Sequence, residues 1–204
     1  MKSYSQFQQD LWVMSLFPNI KGFFIDIGCC DGERISNTFL LEQNGWKGIA
    51  ADPFPTNFEN RKNTILEKVA IFSEQSEVVF SKAGDVGGIT SCLGAWKNAP
   101  QVVTADKTFQ TTITLECLLD KHNAPRYIEY FSLDTEGSEY EILRSFPFNK
   151  YSFGCITVEH NEEEPKRTNI KNLLKQHGYN LVKSDRVEDY FINNSRVSYE
   201  NNIK

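Results

Sequence analysis

Phe23-Phe24-Ile25-Asp26-Ile27-Gly28-Cys29-Cys30-Asp31-Gly32 is the stretch that decides the fold. Its first half, with Gly22 in front, is a short apolar run of the length and composition of a buried strand. Its second half has the form D-x-G-x-x-x-G. Gly28 and Gly32 let a ligand approach the backbone closely, because neither carries a Cβ. A helix following such a turn offers free N–H groups and partial positive charge, which suits a carboxylate on the ligand. The rival reading is the dinucleotide fingerprint G-x-G-x-x-G. Counted from Gly28, its other glycines fall at positions 30 and 33, which hold Cys30 and Glu33. The dinucleotide pattern therefore fails.

Downstream, Gly48-Ile49-Ala50-Ala51-Asp52 reads as a second strand ended by an acid. Asp52 stands roughly twenty residues beyond the loop, the spacing of the ribose-binding acid in βαβ nucleotide sites. The rest of the chain alternates strand with helix, which argues for a mainly parallel sheet covered by helices. Residues 5–16 read as an amphipathic helix within an N-terminal helical segment at 1–20. Ser36–Asn44 is a second helix. Thr56-Asn57-Phe58-Glu59 has the spacing of a capping box for a short third one. Ile65–Phe72 is a third strand, and Glu77–Ser81 alternates and pairs nearby. Residues 84–110, punctuated by glycines and Pro100, read as a long loop or lid; Trp96 is a candidate to stack on a sugar ring or simply to cover the core, and Gly87-Gly88 a candidate hinge for the lid. Beyond them come an extended Thr111–Thr114, a helix at Leu115–Lys121 and a strand at Ile128–Leu133. A helix opened by the box Ser138 to Glu141 follows, then a strand at Phe153–Glu159. The chain closes with a helix at Asn169–His177, strands at Tyr179–Ser184 and Asp189–Asn193, and a frayed polar tail at 194–204.

Composition bounds the class. The chain has 204 residues, a length that suits a single domain with its own core, and no linker or repeat divides it. A net charge of −5 argues against a nucleic-acid partner, which needs a basic face. The five cysteines include no C-x-x-C pair, and the adjacent Cys29 and Cys30 suit neither zinc nor a disulfide, so a reducing compartment is expected. No apolar run reaches the roughly 18 residues of a membrane span, and Met1-Lys2-Ser3-Tyr4-Ser5-Gln6 carries no signal-peptide pattern. The expectation is a cytoplasmic protein; its oligomeric state stays open.

The chain resembles the FkbM-type S-adenosylmethionine-dependent methyltransferases in several segments. Tyr4-Ser5-Gln6 with Asp10-Leu11 is similar to the S-Q-x-x-x-D-L opening of that family. The block from Phe24-Ile25-Asp26-Ile27-Gly28 to Asp52-Pro53-Phe54-Pro55 is a second segment. Phe131-Ser132-Leu133-Asp134-Thr135-Glu136-Gly137-Ser138-Glu139-Tyr140-Glu141-Ile142-Leu143 resembles L-D-x-E-G-x-E-x-x-x-L, and Val158-Glu159-His160-Asn161 the strand-end E-H-N. Two features depart from the pattern: the Cys29-Cys30 filling of the loop, and Asp52 where glutamate is common. The resemblance implies a Rossmann-like class I methyltransferase α/β fold, a three-layer sandwich with a mostly parallel seven-stranded sheet whose last strand is antiparallel. It implies S-adenosylmethionine as cofactor, with Asp26, Gly28, Gly32 and Asp52 binding it. Cys29, Cys30 and Asp134 are the further cofactor candidates. The acceptor implied is a hydroxyl of a sugar, a glycan or a small metabolite. N-methylation of protein or nucleic acid is the alternative enzyme reading, and a nucleotide-binding scaffold without turnover is the non-enzyme one.

Parallel α/β sheets bind ligands at the carboxyl ends of their strands. Asp134 and Glu159 end two predicted strands there, with Glu136 and His160 close behind. An alcohol acceptor needs a general base, and His160 has the suitable ordinary pKa, with a merely hydrogen-bonded strand-end residue as the equal alternative. Asp134 and Glu136 are the other catalytic candidates. Asp134, Glu136 and Glu159 have the oxygen donors that Mg²⁺ takes, an option that ranks below a direct base. The plain readings are a cap for Ser138 and Glu141 and dipole-favoured surface charge for Glu139. His122 and His177 read as surface residues, and Glu162-Glu163-Glu164 as a solvated run. Asp52-Pro53-Phe54-Pro55 looks like the D-P-P-Y motif of amino-group methyltransferases, but it follows the second strand where that motif follows the fourth.

Overall fold

The structure, a computed structural model, describes residues 1–195. The tail expected at 194–204 therefore lies, from residue 196 on, outside the described residues. In chain order the elements are α1 (Gln9–Leu16), β1 (Phe23–Ile27), α2 (Phe39–Gln43), β2 (Lys47–Ala51), β3 (Thr64–Glu67), β4 (Ala70–Ile71), β5 (Glu77–Ser81), β6 (Gly88–Ile89), α3 (Pro100–Val103), β7 (Lys107–Ile113), α4 (Leu115–Lys121), β8 (Tyr127–Leu133), α5 (Glu139–Ser145), β9 (Ser152–Glu159), α6 (Lys166–Gln176), β10 (Tyr179–Asp185) and β11 (Glu188–Asn193).

Seven strands form one sheet in the order β10-β11-β9-β8-β1-β2-β3. β11 is antiparallel to both β9 and β10, while the remaining neighbours pair in parallel. This is the mostly parallel seven-stranded Rossmann-like sheet, with its last strand antiparallel, that the family resemblance implies. A parallel sheet must be covered on both faces, and β1 divides its side chains accordingly. Ile25 and Ile27 pack with Leu118, Ile142 and Leu174 of α4, α5 and α6. Phe24 packs on the other face with Val13, Phe17, Leu41 and Trp46. The chain order reverses at β1, which has β2 on one side and β8 on the other. A crevice opens at such a switch point, beyond the strands' carboxyl ends.

Several local expectations are corrected. The first helix begins at Gln9 rather than residue 5, because residues 3–5 wrap over Asp10. That carboxylate is 0% exposed and accepts hydrogen bonds from Ser3 Oγ (2.6 Å), Tyr4 N (2.7 Å) and Ser5 Oγ (2.8 Å). No helix forms at 56–59. Asn57 takes a left-handed φ of 55°, and both Thr56 Oγ1 and Asn57 Nδ2 donate to Asp31 instead of capping. The strand expected at 65–72 splits: β3 ends at Glu67 in the main sheet, and β4 joins β7 in a small second sheet, β4-β7-β5-β6. The loop expected at 84–110 contains β6, α3, the start of β7 and two 3₁₀ turns, at Gly84–Val86 and Ala95–Asn98. These pieces are too short to show a period.

Arg61 fastens the site's loop to this frame. Its guanidinium is buried and ion-paired with Glu42 of α2. It also donates to Gly32 O (2.8 Å), Thr38 Oγ1 (3.0 Å) and Thr64 Oγ1 (3.0 Å). Glu42 accepts from Asn63 N (2.7 Å) as well. Breaking a buried pair strands the remaining charge and costs about 3–5 kcal/mol. Arg61→Met is expected to lose that much in urea unfolding, with part of it regained by adding Glu42→Gln. A loss under about 0.5 kcal/mol, within the range of ordinary surface changes, would show that the network does not hold the fold.

Candidate active site

A cleft enclosing about 760 Å³ of space, its open mouth included, lies at the switch point. Its walls come from the ends of β1, β2 and β8, from Val69–Ile71 and from the 84–89 segment. The strand ladders continue into it: Gly28 N donates to Ala51 O, Asp134 N to Ile27 O, and Asp52 N to Glu67 O. Gly28 has φ +81°, and a Cβ there would sit 1.5 Å from Asp134 O. Only glycine lets the β1 turn come this close to the end of β8.

Asp26, Gly28, Cys29, Cys30, Asp52 and Asp134 all line the cleft. Gly32 does not. A Cβ on it would meet Asn57 O at 2.4 Å, so this glycine serves packing of the loop against residues 56–57. The loop also does not run straight into a helix, since α2 starts only at Phe39. Asp26 accepts from Thr38 Oγ1 (2.6 Å), and burial pushes its carboxyl up. Asp52 accepts from Cys30 N (3.2 Å) on one oxygen and Phe54 N (2.7 Å) on the other. Burial pushes it up too, against those two bonds. The Cys30 thiol is pushed up to about 12 by burial and by Asp52 and Asp85, so it stays a thiol at neutral pH.

The far wall is acidic. Asp134 and Glu136 line the cleft, and Glu159 stands behind them; one carboxylate oxygen from each of the three lies within 4.8 Å of the others. Asn161 Nδ2 donates to both Glu136 (3.0 Å) and Glu159 (2.8 Å), holding the two together. β11 adds Glu188, which pairs in register with Glu159 and accepts from Gln9 Nε2. Burial, then the neighbouring carboxylates, push Asp134 well above the usual range. The same causes take Glu136 to about 9 and Glu159 to about 8. Burial takes Glu188 to about 7. Such a group can hold protons, or it can take a hard divalent cation through oxygen.

His160 is not in the cleft. The residue is 2% exposed, its Nδ1 accepts from Glu162 N (2.9 Å), and its Nε2 lies 3.5 Å from Asp189 Oδ1. Despite burial, the nearby His160 and hydrogen bonds from Arg167 and Ser184 hold Asp189 below the usual carboxylate range. The cause is the antiparallel β11, which brings Asp189 beside β9. The Ser138 cap is corrected as well. Ser138 Oγ donates to Thr135 Oγ1 (2.8 Å) and caps nothing. Glu139, expected at the surface, is 1% exposed and clamps its own loop, accepting from Thr135 N (2.9 Å) and Gly137 N (2.9 Å). Glu141 pairs with Arg144.

Trp96 does not line the cleft, while Gly87 does and Gly88 belongs to β6. His122 binds Glu67 (2.6 Å), and His177 stacks on Phe148 at 4.3 Å. Glu163 pairs with Lys166 and Glu164 accepts from Thr168 N, so that run is tied to α6. Asn37, Asp85 and Glu188 are parts of the site that the sequence reading did not single out. Glu188 directly precedes the predicted last strand, and that was its one signal.

The sheet order, with a crevice at its switch point, is that of a Rossmann-like α/β domain. Residues 26–181 match the methyltransferase FkbM domain, and the chain belongs to that family of S-adenosylmethionine-dependent methyltransferases. Two solved structures are similar in part. One is magnesium protoporphyrin IX methyltransferase from Synechocystis PCC 6803 with bound SAM, at 14% identity and a TM-score of 0.39, covering 91% of this chain and 78% of that one. The other is precorrin-6y C5,15-methyltransferase from Geobacter metallireducens GS-15, at 12% identity and a TM-score of 0.43, covering 94% and 90%. No curated protein matches the chain. Among the described residues no helix is long and apolar enough to cross a membrane.

The acidic wall makes stability depend on pH. Glu136 binds its proton more tightly folded than unfolded, so its contribution is fully present below the ordinary value of 4.5 and is lost as pH rises toward about 9. Glu136→Gln is therefore expected to melt higher than wild type at pH 8, with the difference shrinking toward pH 5. At this chain length each 1 kcal/mol moves Tm by about 2–4 °C. An equal Tm difference at both pH values would mean that this carboxyl is not raised.

Proposed function

We propose that the cleft binds S-adenosylmethionine and that the enzyme transfers the methyl group to a hydroxyl oxygen of a sugar, a glycan or a small metabolite. Asp52 carries the cofactor half of this reading. It is an acid at the end of β2 in the cleft wall, and each of its oxygens already takes one backbone N–H. A carboxylate oxygen accepts more than one bond, which leaves capacity for the two hydroxyls of a ribose. Beside it, Val69, Ala70, Ile71 and Ile89 give an apolar wall of the kind a nucleoside base fits. Asp26 orders the loop through Thr38, and Gly28 keeps it against the end of β8.

When bound, the cofactor supplies an electrophilic sulfonium methyl. The protein must then align the acceptor and accept its proton. With His160 turned into the β9–β11 contact, the base falls to the carboxylates of the cleft wall. Glu136 takes the proton from the acceptor hydroxyl, and Asp134 orients that hydroxyl. Glu159 and Asn161 position Glu136 from behind. A direct base accounts for these residues without Mg²⁺. Turnover is expected to survive chelation with EDTA and to rise with pH toward about 9, as Glu136 releases its proton.

Calorimetric titration of S-adenosylhomocysteine into wild type and Asp52→Ala tests the cofactor half. Hydrogen bonds to a charged group are worth about 1.5–3 kcal/mol. The variant is therefore expected to bind about 10- to 100-fold more weakly. Folded wild-type protein that binds neither this ligand nor S-adenosylmethionine would sink the reading. Sugars and amines screened side by side then test the oxygen direction, and turnover of amines alone would overturn it.

A further inference from the structure

Asn37 stands in the cleft wall just before α2, and its amide is held in one orientation. Asn37 Nδ2 donates to Ser132 Oγ at 2.9 Å. Ser132 is the register partner of Asp26 across β1 and β8, and its hydroxyl interacts with that carboxylate. A carboxylate only accepts, so the hydroxyl turns its proton toward Asp26 and offers a lone pair to Asn37. The amide NH₂ must therefore face Ser132, and the carbonyl must face the other way. That carbonyl oxygen, Oδ1, is shielded from water and has no hydrogen-bond partner among the described residues. Buried acceptors in folded proteins are nearly always paired. An ordered, unpaired one in the wall of a ligand cleft is a place for a donor that the ligand brings.

The sheet order says which donor. Asp52 and the apolar Val69–Ile71 wall lie on the β2–β3 side of the cleft, while Asn37 is tied to β8 on the far side of β1. A ligand whose nucleoside occupies the β2–β3 side extends its other end across β1 toward Asn37. We infer that Asn37 Oδ1 accepts a hydrogen bond from the α-ammonium group of the cofactor's methionine portion, with Ser132 as the residue that positions the amide. This rests on the cofactor site proposed above.

The test compares two ligands that share a nucleoside. S-adenosylhomocysteine carries the amino-acid portion, and 5′-methylthioadenosine lacks it. Their dissociation constants are measured by calorimetry on the full chain, wild type and Asn37→Ala. The variant is expected to weaken S-adenosylhomocysteine about 10-fold and to leave 5′-methylthioadenosine within about twofold. Ser132→Ala, which frees the amide to flip, is expected to show the same selectivity and serves if Asn37→Ala does not fold. Equal losses for both ligands, or no loss for either, overturn the assignment. A variant that changes only the acceptor KM also overturns it and gives the contact to the acceptor hydroxyl. Wild-type protein that binds neither ligand fails the cofactor site itself, a result distinct from failure at Asn37.

Discussion

The buried guanidinium of Arg61 is the constraint on which the cleft depends. One side chain joins α2, the start of β3, the loop carbonyl of Gly32 and the Thr38 hydroxyl that holds Asp26. Its fork of donors reaches several acceptors at once, which a lysine in the same place could not do. The glycine-rich turn has no regular secondary structure between Gly28 and α2. Without a helix to satisfy its carbonyls, the turn takes its order from this guanidinium, from Asp31 and from the backbone bridge of Asp31 to Thr56. The Asp31 carboxylate gathers Glu33 N, Arg34 N, Thr56 and Asn57. Arg61 and Asp31 together make a rigid cradle from a segment with little intrinsic preference.

Much of this architecture was legible. β1, β2, β8 and β9 are short apolar runs closed by acids or glycine, and α4 was bounded correctly at Leu115–Lys121. Their signals are local: burial on both faces of a parallel sheet leaves apolar runs, and Thr114 caps Cys117 N within its own turn. The small sheet was not legible, because β4 and β6 have two residues each and gain meaning only from their partners, β7 for the one and β5 for the other. The Thr56 box failed because Asp31 competed for the same side chains. His160 and Glu139 were misplaced for a related reason. Each is taken by a partner that the pattern does not show: Asp189 on the distant β11 for His160, and for Glu139 the Thr135–Gly137 backbone of the loop just before it. The orientation of Asn37 depends on Ser132, 95 positions away.

The acidic wall sets chemistry against stability. Asp134, Glu136, Glu159 and Glu188 crowd into a space poor in water, each raising the proton affinity of its neighbours. Asn161 and Gln9 relieve part of this with amide donors, and no Lys or Arg ion pair to these four carboxylates occurs among the described residues. Glu136 and Asn161 also adopt left-handed backbone angles, φ 56° and 47°. Strain and unpaired acid together mark a region arranged for reaction rather than for rigidity.

The rim of the cleft is built on the opposite principle. Arg34 of the turn and Asp85 of the 84–86 segment form a two-pronged ion pair at 2.7 and 2.8 Å, with side chains 59% and 43% exposed. Ile35 beside it holds φ +52°, a rare angle for a β-branched residue, and Gly84 has φ +62° with open space around it. A wet ion pair is weak and screened by salt, so the two lips can part at little thermodynamic expense. Salt therefore acts on the two ends of the same turn unequally: it reaches the exposed Arg34–Asp85 pair and not the buried Arg61–Glu42 pair.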